Sequence, residues 1–224
     1  MFNIKHITTA VLLGVSATAS LASEVYIDQA GSTTTINVTQ TGTTNIVSGD
    51  LNTTNPAIVS GDSIALDVTQ TGDYNEAAVK LDTATSADVD YTATGSNNIF
   101  DVYIDGGSSN VVSSTVTGDG NRVSVCGSND GTANAIVAGV STSGPACSTG
   151  ISANGVTNTI NITGDTNIVN AQVASLAGTT NTVNIGATTT SNNNIVNIEQ
   201  TNVDVNIVDV AVDGNTNVVN IIQN

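Results

Sequence analysis

Through most of the chain, apolar and polar residues alternate, and short clusters of Gly, Asn, Asp and Thr interrupt the alternation at regular intervals. The pattern is plainest near the C-terminus, where the segments beginning at Asn194, Asn206 and Asn217 align without gaps. Each places apolar residues two and four positions after its Asn: Val196 and Ile198, Val208 and Val210, Val219 and Ile221. The same frame runs back through Asn181, Asn167, Asn158, Asn134, Asn121, Asn110, Asn98, Asn75 and Asn45. Gln29, Gln40, Gln70, Gln200 and Gln223 occupy the far ends of such segments. A Gly often stands three residues before the Asn, as at Gly42, Gly72, Gly95, Gly118, Gly164 and Gly214. Successive anchors lie mostly 9 to 14 residues apart. Alternation of period two over about seven residues, bounded by turn formers and rich in Val, Ile and Thr, predicts a strand. One unit, between Asn134 and Asn158, is blurred; its stretch Ser141 to Gly150 reads as an irregular strand or an inserted loop.

Short strands so alike cannot each bury a face alone, but they can if the chain winds. The expected fold is all-β: a cross-β type β-solenoid of strand-turn-strand layers, each about 22 to 24 residues by the anchor spacing, forming two facing parallel sheets with strands ~4.8 Å apart. Val196, Ile198, Val208, Val210, Val219 and Ile221 are expected inside, and Asn197, Asp209 and Asn220 outside. An inward amide without partners costs on the order of 1–3 kcal/mol. Identical amides in register remove that cost by bonding along the stack, as in amyloid. The Asn and Gln residues are therefore expected to form ladders as well as to cap turns.

Composition narrows the function. Charged residues make up only 10% of the chain, and three basic residues face 19 acids for a net charge of −16. That balance disfavours nucleic acid and anionic membrane surfaces, which both call for Lys and Arg. It also predicts that self-association is limited by charge and eased by salt. Disorder, the other common state of acidic polar chains, is disfavoured by the regular apolar positions. Residues 1–22 have the form of a secretory leader: Lys5 and His6, an apolar run from Ile7 to Val15, and small residues at Ser20 and Ala22 before an expected cut at Ser23. The run is too short to span a bilayer, and no later segment is longer, so no membrane insertion is expected. Residues 23–224 then form one repeat domain. In an exported protein Cys126 and Cys147 suggest a disulfide, with free thiols as the alternative; their 21-residue separation is close to one layer. No catalytic residue, metal site or cofactor is expected: the one His lies in the leader, and the Gly-Asp turns lack the calcium-binding nonapeptide frame.

The stretch from Gln29 to Asn45, with Gly31, Gln40 and Gly42, resembles the curlin repeat, whose frame is Gln-x-Gly-x-x-Asn-x-apolar-x-x-x-Gln. Val68 to Ala77, with Gln70, Gly72 and Asn75, is similar and resembles a repeat of the minor, nucleating curlin. The likeness covers residues 25–81 and 194–223 best. It departs in its Thr, Asn and Val substitutions, in lacking a Gly-rich leader after the signal, and in its two cysteines. The resemblance implies a secreted, cell-surface subunit of an extracellular functional-amyloid fibre in biofilm matrix and adhesion. Its partners would be copies of itself, other curli subunits and an outer-membrane secretion channel.

Growth by end-to-end stacking requires open ends. Val25 and Ile27 enter a strand directly after the leader, and Val219 and Ile221 lie in the last one, so these four are the expected assembly ends. The rival readings are an adhesin solenoid and an ice-binding solenoid. An ice face needs Thr-x-Thr pairs in the same place on every layer. The pairs Thr39/Thr41, Thr69/Thr71, Thr83/Thr85 and Thr92/Thr94 are expected to change place from unit to unit, which disfavours it.

Overall fold

The computed structural model of the 224-residue chain describes residues 2–5, 12–18, 23–42, 44–49, 56–95, 97–122, 124–128, 157–167, 179–186, 190–196, 198–200 and 206–223. Among these it is all-β, with no helix. In chain order the strands are β1 (Phe2–Lys5), β2 (Leu12–Thr18), β3 (Ser23–Ala30), β4 (Thr34–Thr41), β5 (Asn45–Ser48) and β6 (Ala57–Ser60). There follow β7 (Ile64–Thr71), β8 (Ala77–Asp82), β9 (Asp88–Thr94), β10 (Phe100–Asp105), β11 (Val111–Val116) and β12 (Ser124–Ser128). The last are β13 (Thr157–Ile160), β14 (Thr179–Val183), β15 (Glu199–Gln200), β16 (Asn206–Val210) and β17 (Ile222–Gln223).

Every pairing is parallel, and most successive strands alternate between two sheets. The first sheet runs β1-β3-β5-β8-β10-β12, with β6 also joining β3 to β8. The second runs β16-β14-β13-β11-β9-β7-β4-β2, and β15 pairs with β17 separately. Register repeats every 23 residues at Ala65↔Asp88, Asp88↔Val111, Thr157↔Thr180 and Glu199↔Ile222, since 88−65, 111−88, 180−157 and 222−199 are all 23. This is the expected two-strand repeat. The step from Thr34 to Ile64 is 30 because the strand beside β3 is split into β5 and β6 by an insertion. The step from Val111 to Thr157 is 46, twice 23, so the residues between β11 and β13 add no strand to the second sheet. The expected strand at Asn134 and the stretch 141–150 lie outside the described residues. So does Cys147, while Cys126 is placed by its backbone in β12 beside Tyr103.

Alternation sets the burial. In β4 and β7 every second residue is buried, Thr34, Ile36, Val38 and Gln40 against Ile64, Leu66, Val68 and Gln70. One apolar cluster draws on both sheets, from Val25 and Ile27 to Val196 and Ile198. Its direct link is Tyr91 of the second sheet stacked on Phe100 of the first, ring centres 4.5 Å apart. Burial of the phenol raises the Tyr91 pKa well above its ordinary value.

Val196 and Ile198 are buried as expected, and Val208 and Val210 are partly buried against the core. Asp209 and Asn220 are exposed, and the side chain of Asn197 lies outside the description. Val219 and Ile221 depart from the expectation: they are 37% and 40% exposed. They belong to the last strand segment described, and no further segment covers them. At the other end, Val25 and Ile27 are fully buried, because β1 pairs with β3 in the register Phe2↔Val25 and Ile4↔Ile27. β2 likewise takes the edge of β4, with Leu13↔Ile36 and Val15↔Val38. Residues expected as a leader thus occupy the first edge of both sheets in the full chain.

Candidate functional site

A single file of asparagine amides runs the length of the first sheet, at the turn that precedes each of its strands. Asn75 Nδ2 donates to Asn45 Oδ1 at 2.9 Å, Asn98 to Asn75 at 2.6 Å and Asn121 to Asn98 at 2.8 Å. Asn167 donates to Asn121 at 2.8 Å, Asn194 to Asn167 at 2.6 Å, and Asn217 to Asn194. The file is buried from Asn45 to Asn194 and emerges at Asn217. It crosses the 46-residue step between Asn121 and Asn167 without a break.

The glycine three residues earlier completes each amide. The second N–H of Asn75 reaches the Gly72 carbonyl at 2.7 Å, that of Asn121 the Gly118 carbonyl at 2.6 Å, and that of Asn217 the Gly214 carbonyl at 2.9 Å; Asn98 does the same with Gly95. Gly72 has a left-handed φ of +129°, and a Cβ there would lie 1.9 Å from the Gly42 carbonyl oxygen. Only glycine fits a backbone so close to its neighbour.

The glutamines are less uniform. Gln70 Nε2 donates to Gln40 Oε1 at 2.8 Å and to the Glu76 carbonyl at 2.9 Å, and Gln40 donates to the Ile46 carbonyl. The next residue in that column is Ala93, so the glutamine ladder has one bond and leaves the Gln70 Oε1 buried without a partner. Gln29 lies in the first sheet and donates instead to Thr34 Oγ1 at 3.1 Å. Gln200 and Gln223 are aligned by backbone. The expected second asparagine file does not form. Asn158 and Asn181 align with each other, but with Val112 and not with Asn110, two residues out of the sequence frame; Asn206 aligns with Thr179. Asn110 Oδ1 accepts the Ala87 N–H at 3.0 Å, and its Nδ2 is buried without a partner.

The outward face of the second sheet holds an order that the sequence reading missed. Thr39, Thr69, Thr92 and Thr115 fall in one column, and Thr41, Thr71 and Thr94 in the next. All seven are exposed. The expectation that Thr-x-Thr pairs change place is therefore corrected: three of the four pairs coincide. The 30-residue step before β7 hid the alignment. Thr83/Thr85 falls at the turn after β8, outside the array.

Beside these columns stand Asp67 and Asp90, in register, with Asp88 at the strand entry. Partial burial, then repulsion from Asp90, raises the Asp67 pKa; Asp88 is raised by burial, then by Asp90 and Asp67. In the first sheet Arg122 pairs with Asp101 at 3.4 Å, both buried. Glu76 is raised by burial and then by Asp101, with Arg122 opposing. Among the described residues no group of His, Cys, Asp and Glu is placed to hold a metal ion, and no helix is long and apolar enough to cross a membrane. No family model, no curated protein and no solved structure matches the chain.

Proposed function

We propose that the two parallel sheets are the sides of one β-solenoid, and that the chain is a structural subunit which stacks end to end into a curli-like, cross-β fibre. The observation that carries this is the asparagine file and the surface on which it ends. Each amide in it receives from the next and donates to the last, so the file has no natural length. At Asn217 it meets solvent beside Val218, Val219 and Ile221, which are 48%, 37% and 40% exposed. A second copy, presenting its first strands, would bury these apolar groups and donate to the Asn217 carbonyl oxygen. Burial of apolar area gives ~25 cal/mol per Å², and the strand edges gain backbone partners. The curlin-like repeats around Gln29–Asn45 and Val68–Ala77 agree with this reading, and with export and a place in an extracellular matrix.

The opposite growth surface is the edge of β3 and β4, which β1 and β2 cover in the full chain. Export with removal of residues 1–22 would open it. The test is electron microscopy and fibre diffraction on the chain beginning at Ser23. The expected result is unbranched fibres with a meridional repeat of ~4.8 Å. A chain that stays monomeric at all concentrations would overturn the proposal.

A further inference from the structure

The threonine columns on the second sheet differ from the rest of their own face. In β4, β7, β9 and β11 the four outward columns pass through the same strands and carry the same secondary-structure preference. The first reads Thr35, Ala65, Asp88, Val111 and the second Asn37, Asp67, Asp90, Ser113. Both are mixed. The third reads Thr39, Thr69, Thr92, Thr115, and the fourth Thr41, Thr71, Thr94. If threonine were present only because it suits a strand, it would be scattered over all four. It is instead confined to two adjacent columns, where it is uniform and uninterrupted by charge.

Parallel strands in register make this a two-dimensional lattice. Rows repeat at ~4.8 Å across strands and at ~6.6 Å between alternate residues along them. Threonine is stiff at χ1, so each methyl and each hydroxyl is held at a set point with little freedom left to lose. Such a surface combines apolar methyls that order water with hydroxyls that bond to it. Its two repeats lie close to those between oxygen atoms on the faces of hexagonal ice.

We propose that the Thr39–Thr115 and Thr41–Thr94 columns form an ice-binding face, whose ligand is the ordered water of an ice-crystal surface. The face lies on the side of the sheet and not on its growing edge, so a single copy carries it whether or not fibres form. Beyond Thr115 the face changes character: Asn161 Nδ2 bonds to Asn184 Oδ1 at 2.7 Å, and the lattice ends.

The test is to grow single ice crystals in solutions of the full chain, and separately to measure its enrichment in slowly frozen ice. The native chain is expected to facet the crystals and to concentrate in the ice fraction. T69K/T92K, which places two long charged side chains in the middle of the lattice, should restore round crystals and lower the ice fraction to that of an unrelated protein. T159K/T182K, on the same sheet but outside the columns, should behave as native. Circular dichroism establishes that each variant is folded; should T69K/T92K misfold, T39V/T69V/T92V, which keeps shape and strand preference, should weaken faceting. Round crystals with the native chain, or undiminished faceting by folded T69K/T92K, would overturn the proposal. So would loss of faceting in T159K/T182K equal to that in T69K/T92K.

Discussion

Residues 23–122 and residues 157–223 follow one repeat but meet it differently. In the first region the strands of the second sheet are six to eight residues long, and their inward positions are mostly Ile, Val, Leu, Ala and Gln. In the second they shorten to four or five, and Asn158 and Asn181 take the backbone places aligned with Val112. Left-handed φ values fall on Thr33, Ser63, Ser86, Asn97, Ser109 and Asp119 in the first, but also on Ile162, Ile185, Ile198 and Val219 in the second. A left-handed conformation costs a residue with a Cβ roughly 1–2 kcal/mol, and branching makes it worse. Yet the asparagine file passes through both regions unchanged. Register is therefore held by the amides, while most of the stability comes from the apolar positions of the first region. The two tasks are separable, and substitutions can separate them.

The largest expected effect is at Gly72. Gly72→Ala drives a methyl into the Gly42 carbonyl at 1.9 Å and strains a left-handed φ. A loss on the order of 4 kcal/mol, from strain and overpacking together, is expected. A urea unfolding midpoint within error of the wild type would contradict it.

Next come the ladder positions. Asn98→Ala removes a buried amide that donates to Asn75 and Gly95 and accepts from Asn121. The orphaned groups should cost ~2–3 kcal/mol. Asn217→Ala, at the exposed end, should cost less than ~1 kcal/mol in the isolated chain but slow fibre growth. Equal losses of stability at the two sites would show that burial does not set the value of a ladder amide.

A smaller effect is set by acid titration, and it resides in the first region. Asp67, Glu76 and Asp88 all have raised pKa values in the folded chain, chiefly through burial. The folded state then binds more protons than the unfolded chain above the ordinary carboxylate range, so stability falls as pH rises through the folded values. The melting temperature should increase on going from about pH 8 to about pH 5, which stays above the ordinary carboxylate values. A flat or declining profile would oppose this assignment.

The smallest change is a gain. Ser86 is exposed, with φ 55° and its N–H bonded to the Ser108 carbonyl at 2.8 Å. Ser86→Gly relieves the left-handed strain at some cost in unfolded-chain entropy, for a net gain of under ~1 kcal/mol. Calorimetry that finds a clear loss would contradict the strain argument.

Much of this architecture was legible in the sequence because its signals are local. Alternation marked the strands, and the Asn with its Gly three before marked the turns of the first sheet. The 23-residue register followed from spacing alone. What stayed hidden was long-range phase. Asn110, Asn158 and Asn206 look equivalent to Asn98 and Asn217, but they lie in the second sheet and are not in one column. Gln29 and Gln40 share a motif and fall on different sheets. The insertion between β5 and β6 displaced Thr39 from Thr69 by seven extra residues (30−23) and concealed the threonine columns. The exposure of Val219 and Ile221 depends on what covers a strand, which periodicity does not encode.

The central claim, that the Asn217 end is a growth surface, is tested most directly by seeded elongation with Ile221→Pro. Proline removes a backbone N–H from the outermost strand segment, and Ile221 is a cleaner site than Val219, whose φ of 33° proline cannot adopt. The measurement is the growth rate at each end of wild-type seeds fed with the variant, by time-resolved fluorescence microscopy. Growth should halt at one end after a single addition while circular dichroism shows the upstream strands intact. Elongation at the wild-type rate from both ends would contradict the claim.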